Sequence, residues 1–259
     1  MTIFLVLLLG GLALSMVDFS GEDSGSSDGR DDGDRIDGSN GDDTLQGGDG
    51  DDTIFGNGGD DLILPEDGDN LARGGEGNDT IADYTPSEDE RGDFDRFFGG
   101  PGADEIYGNN GSDELYGGTG NDIVSGTEHP EHSVPFADRP EEPDLVSGGF
   151  GADTLYGDDG DTLRGGEDGQ DDTYIRVVYD AEDEIVTIED YQPGEEIEIH
   201  AYVEDLVEFN EDGTVVTWYD QDGDDVLVGT EDRPLIRILD ARLDEVDSDI
   251  TYYLDLPRS

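Results

Sequence analysis

Three nine-residue units stand end to end from residue 38: GSNGDDTLQ (38–46), GGDGDDTIF (47–55) and GNGGDDLIL (56–64). Each places Gly fourth, Asp sixth and a large apolar residue eighth. A weakened unit, PEDGDNLAR (65–73), follows. The pattern then returns as GGEGNDTIA (74–82), GGPGADEIY (99–107), GNNGSDELY (108–116), GGTGNDIVS (117–125) and GGFGADTLY (148–156). The first six positions of such a unit make a turn, where Gly recurs because it takes positive φ without strain. The last three, as in Thr44-Leu45-Gln46, make a short strand whose middle side chain points to one face. One unit cannot bury its Leu, Ile or Val alone, so stacked units must bury them against each other. A Gly/Asp-rich composition by itself argues for disorder. Disorder, however, does not demand an apolar residue in the eighth place of each unit.

The unit is the nonapeptide G-G-x-G-x-D-x-U-x, and on these residues the stretch 38–175 resembles the RTX (hemolysin-type calcium-binding repeat) family. The resemblance covers roughly half of the chain. It implies an all-β fold: a parallel β-roll in which two units complete one coil, followed by a small antiparallel β capping domain. Loops one unit apart then lie on opposite edges, and loops two units apart are stacked neighbours. Asp43 would face Asp61 across one gap, and Asp104 would face Asp122 across another. The resemblance makes the sixth-position aspartates the metal ligands: Asp43, Asp52, Asp61, Asp79, Asp104, Asp113, Asp122 and Asp153, with Asp95, Asp144 and Asp172 from irregular units. The implied cofactor is Ca²⁺, several ions per chain. Ca²⁺ is a hard cation that takes six to eight oxygens, which Asp carboxylates and turn carbonyls supply. Without it a row of close carboxylates is repulsive, and the short strands bury too little to offset that. Folding on calcium binding is therefore expected.

The chain has 71 acidic residues against 12 basic ones, a formal charge of −59, and all twelve basic residues are Arg. That charge excludes nucleic acid and anionic lipid as electrostatic partners and points to cations. The last third is acidic too (Glu195, Glu196, Glu198, Asp244, Glu245, Asp247), an excess that adaptation to a salty habitat would explain. There is no Cys, hence no disulfide and no thiolate chemistry. Calcium as the staple suits an extracellular compartment.

Residues 3–17, IFLVLLLGGLALSMV, are uncharged and apolar, shorter than the roughly 20 residues of a typical membrane helix. Two readings fit residues 1–17. One is a signal peptide, with Ala13-Leu14-Ser15 as a loose cleavage site but no basic n-region. The other is an uncleaved anchor, a membrane tether. Residues 18–37 read as an acidic flexible linker, with Asp34-Arg35-Ile36 as a degenerate first strand. GSSDG (25–29) matches G-x-S-x-G but lacks the strand and helix that a nucleophile elbow needs. Insertions at 83–89 and 126–138 interrupt the array, and Asp95-Arg96-Phe97 and Asp144-Leu145-Val146 resume it. The second insertion holds His129 and His132 around Pro130, without the helical H-E-x-x-H spacing of a zinc protease. GDDGDTLR (157–164) is one residue short, GGEDGQDDTYI (165–175) is long, and Asp172-Thr173-Tyr174 is the last strand of the array.

From Arg176 to 259 glycine thins out and β-branched or aromatic residues alternate with polar ones. Strands are expected at 185–188, 196–203, 214–219, 225–228, 235–239 and 251–256. DQDGDD (220–225) has part of an EF-hand spacing, but Asp225 stands where Gly is required, so a hairpin turn is expected. The segment 186–199 looks like the strand-turn-strand that often follows RTX arrays and caps the open end. The leading functional reading is a secreted or surface-tethered bacterial calcium-binding protein, not an enzyme. Nothing large enough to be catalytic precedes the array, and His129, His132 and His200 stand in no catalytic pattern. A calcium-dependent adhesion or interaction module, through the C-terminal part or the 126–138 loop, is the alternative, and the accessory part of a secreted hydrolase a further one. The sequence names no protein or glycan partner.

Overall fold

The computed structural model describes residues 33–83, 93–109, 111–127, 143–158, 160–178, 185–201, 217–230, 233–246 and 250–254. The apolar run 3–17, GSSDG, most of the linker, nearly all of both insertions and the histidines His129 and His132 lie outside the described residues. Among the described residues no helix is long and apolar enough to cross a membrane.

Among the described residues the regular structure is almost entirely strand. In order come β1 (Arg35–Asp37), β2 (Thr44–Gln46), β3 (Thr53–Gly58), β4 (Leu62–Leu64), β5 (Leu71–Glu76), β6 (Thr80–Ala82) and β7 (Arg96–Pro101). Then follow β8 (Glu105–Tyr107), β9 (Glu114–Thr119), β10 (Ile123–Ser125), β11 (Leu145–Phe150), β12 (Thr154–Gly157), β13 (Thr162–Arg164) and β14 (Thr173–Val178). The remainder is β15 (Val186–Ile188), β16 (Glu196–Ala201), β17 (Thr217–Asp222), β18 (Asp225–Thr230), β19 (Arg233–Ile238), the short helix α1 (Leu243–Val246) and β20 (Ile250–Leu254).

Successive units alternate between two sheets. One sheet runs β1-β3-β5-β7-β9-β11-β13-β15-β19-β18-β17, and the other runs β2-β4-β6-β8-β10-β12-β14-β16-β20. Ile36 pairs with Ile54, and Leu45 with Ile63, eighteen residues apart, so two units make one coil. The eighth-position side chains therefore stack in two facing rows. Ile54, Ala72, Phe97, Leu115, Val146 and Leu163 line one sheet, and Ile63, Ile81, Ile106, Val124, Leu155 and Tyr174 line the other, all fully buried. Burying one such side chain contributes about 1.5–3 kcal/mol, less than the cost of ordering the nine residues of its unit. Stability must then come from the stack. This is the all-β parallel β-roll expected from the repeat.

The two sheets differ in how far their strands run. In β3, β5, β7, β9 and β11 pairing continues through the first three positions of the following unit, and Gly100 pairs with Gly118 and Gly118 with Gly149. The turn on that side is thus shorter than the six residues expected. Close approach permits this: a Cβ on Gly100 would fall 2.3 Å from the Gly75 carbonyl oxygen.

Beyond Val178 the roll does not stop. β15 and β16 join the two sheets in parallel, and β19 and β20 extend them in parallel again. The antiparallel part is the β17–β18–β19 meander at the end of one sheet. Its first turn is the one expected at 220–225: Asp222 pairs with Asp225 around Gly223, whose φ is 71°.

Candidate metal centre

Each sixth-position residue immediately precedes a strand, and stacking sets these residues in two columns, one on each edge of the roll. In every rung one side-chain oxygen, Oδ1, accepts the backbone N–H of the corresponding residue one coil earlier. On one edge Asp61 accepts from Asp43 at 2.8 Å, Asp79 from Asp61 at 2.9 Å, and Asp104 from Asp79 at 2.8 Å. The column continues with Asp122 accepting from Asp104, Asp153 from Asp122, and Asp172 from Asp153. On the other edge Asp52 accepts from Asp34, Asp95 from Asn70, Asp113 from Asp95, Asp144 from Asp113, and Asp161 from Asp144. The usual separation of 18 residues lengthens to 25 between Asp79 and Asp104 and to 31 between Asp122 and Asp153. The rungs keep the same bond across both interruptions.

The second carboxylate oxygen has a different fate. Oδ2 of Asp52, Asp61, Asp79, Asp95, Asp104, Asp122, Asp153 and Asp172 is buried and has no hydrogen-bond partner. Except at Asp95, whose unit has no glycine in first place, it lies over the first glycine of its own unit. A Cβ on Gly56 would fall 2.2 Å from Asp61 Oδ2, one on Gly74 2.2 Å from Asp79 Oδ2, and one on Gly148 2.3 Å from Asp153 Oδ2. The glycines of the repeat thus serve two purposes. Those in second and fourth place, such as Gly75 and Gly77, have φ of 120° and 131°, which L side chains rarely adopt. The glycine in first place makes room for the carboxylate.

Burial raises the pKa of these acids, and neighbouring carboxylates raise it further. Asp61, Asp104 and Asp153 are pushed up to about 6 and Asp122 to about 7. Asp95 and Asp144 are raised for the same reason, with Asp113 the leading neighbour of Asp95 and Asp161 that of Asp144. A buried unpaired carboxylate is costly, and eight in ordered columns call for a cation. The donor set fits a hard one: carboxylate oxygens and turn carbonyls, with no sulfur and no imidazole. No three acidic, His or Cys side chains converge in a metal-holding group among the described residues, so main-chain oxygens must make up the coordination.

The eleven aspartates expected from the sequence all fall on the two columns. Asp43 differs from the rest, since its Oδ2 accepts the Ser39 N–H at 2.5 Å and the residue is half-buried. Three column members escaped the sequence pattern. Asn70 fills the sixth place of the weakened unit. Asp161 belongs to the unit that is one residue short, although Asp161-Thr162-Leu163 spells the D-x-U strand. Glu195 precedes β16 as the aspartates precede their strands, and its N-terminal neighbours carry no repeat signal. Asp161 and Glu195 close turns of the same kind: Oδ2 of Asp161 accepts the Asp158 N–H at 2.9 Å, and Oε2 of Glu195 accepts the Gln192 N–H at 2.6 Å. A second, exposed ladder uses fifth-position side chains: Asp42 accepts from the Asp60 N–H, Asp60 from that of Asn78, and Asn78 from that of Ala103. The recurring DD and ND doublets were its signal. His200 lies on β16, half-buried, 2.7 Å from Glu198.

A family model described as the RTX calcium-binding nonapeptide repeat matches the chain in four copies, over residues 28–63, 66–82, 92–124 and 142–169. These segments are RTX repeats. RTX nonapeptide repeats bind several Ca²⁺ ions, and the columns of buried Oδ2 atoms lie within the matched segments apart from Asp172. No curated protein matches the chain.

Proposed function

We propose that this protein is a secreted or surface-held calcium-binding module whose folding is coupled to extracellular calcium, and that it has no catalytic role. RTX repeat proteins are typically secreted or extracellular. The observation that carries the reading is the set of eight buried Oδ2 atoms without a hydrogen-bond partner. Asp43, Asp52, Asp61, Asp79, Asp95, Asp104, Asp113, Asp122, Asp144, Asp153 and Asp172 would hold the ions, together with turn carbonyls. Bound calcium supplies the positive charge that the columns lack.

The chain's own part is to present the oxygens in register. Apart from that of Asp43, each Oδ1 is held by a backbone N–H from the coil before, so one carboxylate ties two coils together. Without a counter-ion the columns repel and the coils have only their thin apolar rows to hold them. Binding free energy then becomes folding free energy. Calcium modules of extracellular proteins work at about 10⁻⁴–10⁻³ M, so the chain would stay unfolded at cytosolic calcium. Residues 1–17 serve as leader or tether, 18–37 as spacer, 38–175 as the calcium roll and 176–259 as its cap.

The test is a calcium titration of the chelated full chain followed by far-UV circular dichroism, with magnesium in parallel. A cooperative gain of β signal with calcium alone is expected. A chain already folded in chelator would overturn the coupling.

A further inference from the structure

Among the described columns, Asn70 is the sixth-position residue that carries no charge. Its Oδ1 does what every Oδ1 in the column does, accepting the Asp52 N–H at 2.9 Å. Its other atom is a nitrogen, and it stands where the neighbours have an unpartnered oxygen. Nδ2 donates to the carbonyl of Glu66 at 2.7 Å and to that of Gly68 at 2.8 Å. The orientation of the amide follows from these partners: the N–H needs an acceptor and the two carbonyls need donors.

Glu66 and Gly68 occupy the second and fourth places of their unit, with φ of 66° and 116°. Gly48 and Gly50 (116° and 110°) and Gly75 and Gly77 (120° and 131°) hold the same places with the same handedness. The loop backbone is therefore shared, and the amide of Asn70 shows what the sixth side chain faces in it: two carbonyl oxygens. In an aspartate loop a carboxylate oxygen faces those carbonyls, an arrangement of acceptors only, which a cation must reconcile. In the Asn70 loop two amide protons reconcile it. Asn70 is buried, 2% exposed, so water does not substitute.

We propose that Asn70 makes its loop a calcium-free rung: the side-chain amide takes the place of one ion and divides the column of its edge, with Asp52 on one side and Asp95 on the other. The opposite edge, from Asp61 to Asp172, has no such break. The two edges of the roll thus take unequal numbers of ions, and the loop at 65–70 is satisfied at any calcium concentration. The proposal rests on the reading that the aspartate loops hold calcium.

The experiment is a count of calcium bound per folded chain, by equilibrium dialysis of the full-length protein, for wild type, Asn70→Asp and Asp61→Asn. Asn70→Asp is expected to bind one more ion than wild type and to fold only at higher calcium. Asp61→Asn is expected to bind one ion fewer and still to fold with calcium, its new amide sealing the loop as Asn70 does. Wild type binding several ions with Asn70→Asp binding the same number would overturn the inference alone. Should Asn70→Asp not fold, the Asp61→Asn count decides, an unchanged count overturning the inference. Wild type binding no calcium would overturn the reading of the whole array.

Discussion

The roll up to β14 and the strands after it bury apolar side chains equally well but answer their charges in opposite ways. In the roll eight buried carboxylates meet a backbone N–H on one oxygen and no hydrogen-bond donor on the other. After β14, arginines do the answering. Arg237 on β19 reaches Asp225 at 3.0 Å and Asp222 at 3.7 Å, and Glu189, just after β15, draws on Arg164 of the roll. The end region is also richer in core: Val226, Val228, Leu235, Ile236, Ile238 and Val246 are all buried within a short stretch. A repeat unit contributes one such residue in nine. The difference lies in the source of the counter-charge, internal in one region and external in the other.

The largest expected effect separates the two kinds of glycine that make the external source possible. Gly56→Ala would set its Cβ 2.2 Å from Asp61 Oδ2 and 2.5 Å from the Gly74 carbonyl oxygen, and neither atom can give way without moving a coil. We expect several kcal/mol of destabilisation in calcium, measured by denaturant unfolding, on the scale of about 1–3 kcal/mol or more for overpacking. Gly48→Ala meets open space and only a φ of 116°, so about 1 kcal/mol is expected. Equal losses in the two variants would remove the distinction.

Protons should partly replace the external cation. The folded-state pKa of Asp61, Asp104 and Asp153 is pushed up to about 6, and that of Asp122 to about 7, above an ordinary value of 3.8. The fold therefore holds more protons than the unfolded chain between those limits, and metal-free stability rises as pH falls. That stabilisation is complete below about 4 and is lost as pH climbs through 6 to 7. In chelator, β signal should grow on acidification from pH 7 toward 4. With calcium present, the calcium midpoint should rise over the same interval, because the ions need the carboxylates bare. A metal-free signal flat across this range would count against the columns as drawn.

The smallest effect belongs to the self-paired region. Arg237→Ala removes a partly exposed ion pair and should cost about 0.2–1 kcal/mol, leaving the calcium midpoint where it was. A shifted midpoint would mean that the two regions share their charge balance after all.

Much of this was readable in the nonapeptide. The eighth-position residues, from Ile54 to Tyr174, announced two buried rows, and Asp95 and Asp144 could be placed because D-x-U resumed after each insertion. Asp161 slipped through because its unit lacks one residue, and Glu195 because nothing repetitive precedes it; both take their place from the strand they precede. The role of the first glycine was hidden as well. Positive φ accounts for the second and fourth places, whereas Gly56 matters for how near a carboxylate comes.

By itself the sequence determined the period, the alternation of turn and strand, and a charge that only cations can balance, since each depends on residues within one unit. Which oxygen stays bare, and that β15, β16, β19 and β20 prolong the parallel sheets, were decided by stacking. The rung contacts join residues 17 to 31 positions apart and the last parallel pairings join residues 50 or more apart; their partners are set by the coil above and below, which no single unit encodes.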